Sequence, residues 1–457
     1  MTVIKRHRPA EQAALSPHLI TRRRFLYLTA MSGAGFAAGC AVNPVTGERQ
    51  LMLMSEAGEV QIDRQYAPQQ FSADYGTLQD TALNAYIDQT GRDIAAITHR
   101  PQMPYSFRGV NATYVNAYAF PGGSIACTRG ILLSLDNEAE LAALLGHELG
   151  HVNARHTAQQ MTKSQIANVV VGLGTALVAA KWEDYAWAAS GLGAVGAGLL
   201  LASYSRENER QADDLGTEYM VKAGYNPQGM VGLMEMLNSL SKRKPNAIEM
   251  MFSTHPMSDE RYATTVGQVQ TKYAAAKSNP IYRERYMDHT AGLRAIKPAV
   301  DALQDGEKAM AGKQYDQAES LFKRALRTAP DDYAGMMMMA KCQLVQSKFG
   351  EAQRYAESAK SVYPKEAQAY HVAGFAKLKN NRFSPAYRDF AAYERLLPGN
   401  PNTTFYQGYC LERMGQKQRA ASNYAKYLNT VQQGEQAQYA YQRLVEWGVI
   451  KPQKQSG

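Results

Sequence analysis

The chain has 457 residues, more than one compact core usually spans, which favours two or three domains. Hydrophobic residues make up 45% and charged residues 20%, which argues against wholesale disorder. The net charge is +9, and the first 39 residues carry +5 of it, so the remaining +4 gives no reason to expect nucleic-acid binding.

Residues 1–39 are predicted to be an export signal. Arg22, Arg23 and Arg24 precede an uncharged run of 15 residues, which is too short to span a membrane but has the length of a signal core. The pattern resembles a twin-arginine signal, and the small residues before Cys40 resemble a lipobox. This resemblance implies acylation of Cys40 and, because Ala41 follows it, an outer-membrane lipoprotein held on the periplasmic side of the envelope. The alternatives are a plain N-terminal anchor or a signal cut elsewhere.

The next segments alternate between loop, helix and strand patterns. Residues 40–76 are polar and turn-rich, which favours a tether and lead-in. Apolar residues at helical spacing predict an amphipathic helix over 77–97, and short strands with tight turns are expected between Pro101 and Thr128. A long helix follows, with Asp136 or Asn137 as its N-cap.

The C-terminal third repeats every 34 residues. Three prolines mark the period: Pro330, Pro364 and Pro398. Small residues recur with the same period at two further positions of the repeat. The first series is Ala318, Ala352, Ala386 and Ala420, and the second is Gly306, Ala340, Gly374 and Gly408. This pattern resembles tetratricopeptide repeats, whose helices approach closely at the small residues and stack into a solenoid with a concave groove. We expect about four repeats over 299–434, with a C-terminal helix and tail over 435–457. Cys342 and Cys410 lie two repeats apart, too far for a disulfide.

The chemistry is concentrated in the sequence His147-Glu148-Leu149-Gly150-His151. Residues four apart share one face of a helix, so His147 and His151 are predicted to present two imidazoles to one metal ion. Glu148 then lies where its carboxylate reaches a water on that ion. The alternative is an exposed helix with polar residues, but the surrounding apolar pattern favours a buried one.

A catalytic zinc needs a third protein ligand and an open position for water. Glu209 is the candidate, and Asp213 lies four residues later on the same predicted helix. Asp213 would accept the far N–H of a ligand histidine and fix its tautomer. The alternative is that both belong to a solvated charged face.

Four sequence segments occur in one order along the chain: Asn116 to Gly123, His147 to His156, Arg206 to Asp213, and Thr254-His255-Pro256. Together they resemble the HtpX/Ste24/Oma1 class of zinc metallopeptidases. With the repeats, the chain is similar to bacterial periplasmic proteases of outer-membrane quality control. The resemblance implies a mainly helical α+β fold: a zincin-like (gluzincin) metallopeptidase domain over 77–290, followed by an α-solenoid of tetratricopeptide repeats.

The resemblance also implies roles for single residues in a site with one zinc ion. The zinc ligands are His147, His151 and Glu209, with Glu148 as the base and Asp213 supporting a ligand. His255 would lie beside the metal, either as a removable fourth ligand that silences the enzyme or as a donor to the oxyanion. An edge strand near Gly122–Ala126 would hold extended substrate, and the residues assigned to substrate binding are Asn116, Gly123 and Arg261. Arg261 would also orient the His-Pro segment.

An uncharged, Gly- and Ala-rich stretch over 166–204, interrupted near Lys181, separates the two halves of the site. It predicts either a hydrophobic hairpin near the active-site mouth or two buried helices that pack through small residues.

Taken together, the sequence predicts a lipid-anchored zinc endopeptidase that degrades misfolded or misassembled envelope proteins. Its partners would be unfolded envelope polypeptides, a membrane surface and, through the repeat groove, outer-membrane assembly machinery, with no nucleic acid. The alternative is a chaperone or assembly scaffold with a mostly latent metal site, and a weaker rival is a metal-dependent hydrolase of non-peptide substrates.

Overall fold

A computed structural model describes residues 40–162, 204–243 and 245–451. The predicted export signal (1–39), the predicted apolar insert apart from Tyr204, and residues 452–457 of the tail lie outside the described residues. None of the helices in the described ranges combines the length and hydropathy needed to cross a lipid bilayer.

The first unit covers residues 40–295 and mixes strands with helices. Its strands are β1 (Cys40–Val42), β2 (Arg49–Leu51), β3 (Ser106–Val110), β4 (Ala117–Ala119) and β5 (Ser124–Thr128). Its helices include α1 (Glu56–Ala73), α2 (Thr81–Ala95), α3 (Arg129–Leu132), α4 (Glu138–Asn153), α5 (Arg206–Lys222), α6 (Gln228–Arg243), α7 (Pro245–Thr254), α8 (Asp259–Gln270), α9 (Arg283–His289) and α10 (Ala291–Ala295). Its core joins α2, β5, α4, α5 and α6.

Helix α4 is the central helix of this unit, since every one of its residues is buried. Its N-cap is Asn137, whose side-chain oxygen accepts a hydrogen bond from the backbone N–H of Glu140 at 3.0 Å. The predicted start of this helix is therefore correct at Asn137, while Asp136 lies outside it. Burial on all sides holds the histidines of α4 in a fixed frame of packed side chains.

The lead-in over 40–76 is not a tether. Strands β1 and β2 form an antiparallel pair, and α1 packs against the rest of the first unit with a buried carboxylate, that of Glu59. Glu59 is fully buried and accepts hydrogen bonds from Arg100 Nη2 at 2.7 Å and Arg155 Nε at 2.8 Å. Ala67 and Phe71 of α1 also pack against Phe120, but buried polar residues interrupt the apolar face, so hydrophobic periodicity did not reveal this helix.

The larger sheet has the strand order β3-β5-β4, with β3 parallel and β4 antiparallel to β5. The expected edge strand near Gly122–Ala126 is therefore wrong, because β5 is the middle strand. The outer edge of β3 is covered by side chains, since Asp88 and Asn84 accept hydrogen bonds from the backbone N–H groups of Phe107 and Gly109 at 3.0 and 2.9 Å. The edge strand next to α4 is β4.

The second unit is an array of paired helices. They are α11 (Lys297–Ala311), α12 (Tyr315–Thr328), α13 (Tyr333–Val345), α14 (Phe349–Val362), α15 (Gln368–Lys379), α16 (Phe383–Leu396), α17 (Pro401–Arg413), α18 (Lys417–Leu428) and α19 (Glu435–Glu446). The five alanines of the 34-residue period are fully buried. A Cβ atom on Gly306 would lie 2.3 Å from the ring of Phe322, so the small residue is required where the two helices of the hairpin meet.

The first unit packs against the first repeats of the array. Arg129 forms an ion pair with Asp332 at 2.5 Å, and the hydroxyl groups of Thr77 and Tyr363 lie 3.0 Å apart. Tyr75 packs against the cores of the first two repeats, with the Lys341 ammonium 4.5 Å from its ring centroid. The segment 72–79 therefore covers part of the inner face of the array.

Candidate metal centre

Two helices carry the site, and small residues let them meet. A Cβ atom added to Gly146 of α4 would lie 2.8 Å from the carbonyl oxygen of Gly216 in α5, and one added to Gly216 would lie 2.7 Å from the backbone nitrogen of His147. Gly150 and Ala212 meet in the same way, at 3.0 Å. This close crossing brings the acidic residues of α5 within reach of the histidines of α4.

Four buried side chains converge at this crossing: His147, His151, Glu209 and His255. One nitrogen or oxygen atom from each lies within 4.8 Å of all the others. The Nε2 atoms of the two α4 histidines are 3.1 Å apart, and Glu209 Oε1 lies 3.3 Å from His151 Nε2 and 3.1 Å from His255 Nδ1. The predicted grouping of two imidazoles and a distant carboxylate is present, and His255 lies within it.

Asp213 and Arg261 support this cluster. Asp213 Oδ1 lies 3.0 Å from His147 Nδ1, and Arg261 binds both oxygens of Asp213 at 2.7 and 2.8 Å. Arg261 also lies 2.7 Å from Glu209 Oε2 and donates to the carbonyl oxygen of Pro256 at 2.7 Å. Its guanidinium is buried, and its contact with Pro256 holds the His-Pro segment in place. The assignment of Arg261 to substrate binding stays a prediction.

The carboxylate of Glu148 differs from that of Asp213, which Arg261 binds. Both of its oxygens are buried, and neither has a hydrogen-bond partner among the described residues. Burial raises the pKa of Glu148 above its usual value, which favours a group able to take up a proton. His255 lies beside it, with Nε2 3.8 Å from Oε1.

Two groups of the cluster, His151 and Glu209, have pKa shifts in the direction that suits a metal ligand. Burial lowers the pKa of His151 well below its ordinary value, which keeps this imidazole neutral. Burial would raise the pKa of Glu209, but His255 and His151 outweigh it and hold the carboxyl well below its usual range. A neutral imidazole and an ionised carboxylate are donors that suit a divalent zinc ion. The unpartnered oxygens of Glu148 fit a place for a metal-bound water.

Asn116 and Gly123 flank the edge strand β4. The side-chain oxygen of Asn116 is buried without a hydrogen-bond partner in the described ranges, just before β4. Gly123 lies in the turn from β4 to β5 with φ +102°, and a Cβ atom there would lie 2.9 Å from Tyr105. Its observed role is to close this turn, with its N–H donating to the Phe120 carbonyl at 3.0 Å. Neither residue is placed against substrate by these contacts.

One member of the site, His156, had no role assigned to it from the sequence. His156 is buried directly behind His151, with the Nδ1 atoms of the two rings 2.9 Å apart, and its Nε2 lies 2.9 Å from Gln211 Oε1. The sequence named it only as the end of the His147 to His156 segment, because Arg155, with φ +60°, ends the helical spacing that relates His147 to His151. The four-residue spacing of Gly146 with Gly150, and of Ala212 with Gly216, was a usable signal for the helix crossing.

Comparison with known families assigns both units. Residues 81–267 match the model of peptidase family M48, and residues 309–374 match that of the tetratricopeptide repeat. The chain therefore contains an M48 peptidase domain followed by tetratricopeptide repeats. The predicted fold class, a mainly helical α+β peptidase domain followed by a helical repeat array, is confirmed.

Several curated proteins are similar to the chain. The beta-barrel assembly-enhancing protease of Yersinia pestis is 27% identical over 305 residues, which cover 62% of this chain and 63% of the relative. The protein of that name from Escherichia coli (strain K12) is 27% identical over 231 residues, 50% of this chain and 47% of the relative. Metalloprotease YcaL of the same strain is 34% identical over 158 residues, 35% of this chain and 59% of the relative. The similarity thus spans about half to three-fifths of the length of these relatives.

Proposed function

We propose that this chain is a zinc-dependent endopeptidase that degrades misfolded or misassembled proteins of the bacterial envelope. The observation that carries the proposal is the buried meeting of His147, His151 and Glu209 beside the unpartnered carboxylate of Glu148. The match of this region to peptidase family M48 supports it independently.

In this proposal His147, His151 and Glu209 hold one zinc ion, and Asp213 fixes the ring of His147. When bound, zinc lowers the pKa of a coordinated water toward about 7 and polarises a scissile carbonyl. Glu148 takes the proton of the attacking water and returns it to the leaving amine. Its burial and its lack of a competing partner among the described residues suit this exchange.

We assign substrate binding to the edge of β4, which replaces the strand expected from sequence. Tyr118 pairs with Ala126 in antiparallel register, and the backbone N–H and C=O groups of successive residues point to opposite sides of the strand. The backbone groups of Ala117 and Ala119 therefore point away from β5. An extended polypeptide adds to such an edge as a further strand, which selects unfolded segments over folded ones.

The repeat array would recruit clients or assembly machinery through its open part. Tyr75 of the first unit packs on the first two repeats, where it contacts Lys341, and so covers part of their inner face. The later repeats keep a cavity of about 460 Å³ whose lining includes Phe375, Tyr409 and Arg413. Aromatic side chains with a guanidinium suit an extended client that carries apolar and acidic residues. The name of the Yersinia pestis relative refers to assembly of beta-barrels, which agrees with an envelope client.

The proposed location is the periplasmic side of the outer membrane, with acylated Cys40 as the lipid attachment. The twin-arginine-like signal and the small residues before Cys40 support this location. Cys40 begins β1, which pairs with β2 only a few residues before α1, so an acyl anchor there would hold the peptidase domain close to the membrane surface.

Metal analysis together with proteolysis tests the proposal. The purified chain is expected to contain one zinc per molecule and to cut an unfolded casein substrate. Dialysis against a chelator is expected to abolish cutting, and added zinc to restore it, because the ion supplies both the activated water and the polarised carbonyl. Zinc-free protein with undiminished activity would overturn the proposal.

His255 is expected to act as a removable fourth ligand, since its Nδ1 lies among the ligand atoms, 3.1 Å from Glu209 Oε1 and 3.4 Å from His147 Nε2. His255→Ala should therefore raise casein cutting at unchanged zinc content. A fall in the rate at unchanged zinc content would instead assign His255 to the oxyanion. Glu260→Ala, at an exposed position on the following helix, is the matched control.

A scaffold role remains the second candidate, and the same position of His255 favours it, because a cluster closed by a fourth protein ligand has no open site for water. In that case client binding by the repeats would be the main activity.

A further inference from the structure

His156 is a buried histidine with partners on both sides of its ring. Its side chain is 1% exposed, and it lies between His151 and Gln211. The Nδ1 atoms of His156 and His151 are 2.9 Å apart, and His156 Nε2 is 2.9 Å from Gln211 Oε1. The three side chains thus form a chain that leads from the candidate metal centre to α5.

The hydrogen positions in this chain follow from the ligand atom of His151. Its Nε2 faces the cluster, 3.3 Å from Glu209 Oε1, so a metal-binding ring must carry its hydrogen on Nδ1. Two facing nitrogens share only one hydrogen, so His156 Nδ1 accepts it. The hydrogen of His156 is then on Nε2, where it is donated to the Gln211 carbonyl oxygen. In this arrangement of neutral rings, each of the two contacts of His156 joins one donor to one acceptor.

The two ligand histidines are supported by different chemistry. His147 faces Asp213, a carboxylate already bound by Arg261, whereas His151 faces a neutral imidazole. The ring of Tyr204 stacks on the face of His151 with the centroids 3.8 Å apart. His151 is therefore held at its edge by His156 and across its face by Tyr204.

We propose that His156 is a positioning residue that fixes the ring orientation and tautomer of His151 for metal binding. This inference rests on the proposed zinc site. A partner of this kind typically contributes 10- to 100-fold to metal affinity, because without it the ligand ring can turn or hold its hydrogen on the wrong nitrogen.

The test measures zinc affinity of the full chain by competition with a chelator of known affinity. His156→Asn keeps an acceptor oxygen near the position of Nδ1, whereas His156→Gln places its amide near the position of Nε2 and His156→Leu has no acceptor. We expect about 10- to 100-fold weaker zinc binding for the Leu and Gln variants. The Asn variant is expected to retain most of the wild-type affinity. Urea unfolding of the metal-free proteins measures any loss of packing separately.

The Asn and Gln variants form a matched polar pair, so the comparison stands even where the Leu variant does not fold. Equal zinc affinity in the Asn and Gln variants, or wild-type affinity in all three, would overturn the inference. If the wild-type protein binds zinc and cuts casein, and the Gln variant binds zinc equally tightly, this inference alone is overturned. Wild-type protein that binds no zinc would overturn the proposed function as well.

Discussion

Replacing Glu148 with glutamine is expected to lower casein cutting by about 10²- to 10⁴-fold, the range by which a positioned general base accelerates proton transfer. Zinc content should stay at the wild-type level, because Glu148 is not among the grouped ligand atoms. The amide keeps the shape of the side chain but cannot accept the proton of the attacking water. Metal analysis and initial rates on the same preparation measure both quantities.

The matched control is Glu207→Gln, an exposed carboxylate on α5 that should leave both quantities unchanged. Wild-type turnover by Glu148→Gln would exclude the assigned role of Glu148. The same variant separates the peptidase from the scaffold proposal in cells: full rescue of a deletion strain by Glu148→Gln would make client binding the main role.

Replacing Glu59 with alanine is expected to destabilise the peptidase domain by about 3–5 kcal/mol, the cost of leaving a buried charge without its partner. Glu59 is fully buried and serves two guanidinium groups, those of Arg100 and Arg155. Arg155 follows the end of α4, so the loss should be felt at the candidate metal centre as well. Urea unfolding of the metal-free chain, followed by circular dichroism, measures the change.

Glu56→Ala provides the control on the same helix. Glu56 also lies near Arg100, at 3.2 Å, but its side chain is 51% exposed, and exposed ion pairs contribute only about 0–1 kcal/mol. Equal free energies of unfolding for the two variants would contradict the proposal that the buried ion pairs of Glu59 stabilise the lead-in.

The sequence predicted the elements whose signal is local. The four-residue spacing of His147 and His151 needs only helical geometry, and the 34-residue period of the repeats needs only counting. The grouping with Glu209 came from a chemical requirement for a third ligand, combined with a family resemblance. In each case one rule fixed the position without knowledge of the surrounding packing.

The remainder depends on contacts between distant segments. Helix α1 has a polar sequence, and its burial depends on distant partners, above all the pairing of Glu59 with Arg100 and Arg155. The order of the strands placed β5 in the middle, which local alternation cannot reveal. The sequence likewise did not show that the guanidinium of Arg261 is bound to Asp213, Glu209 and Pro256, which lie on separate segments.

The seating of the peptidase domain on the first two repeats restricts how this protein can change in length. Each repeat adds 34 residues, and an extra unit placed before α13 would carry Lys341 and Asp332 away from Tyr75 and Arg129. A unit added beyond α18 would leave those pairings intact and lengthen the uncovered part of the groove. Growth of the array, in evolution or by engineering, is therefore tolerated beyond the repeats that the peptidase domain contacts.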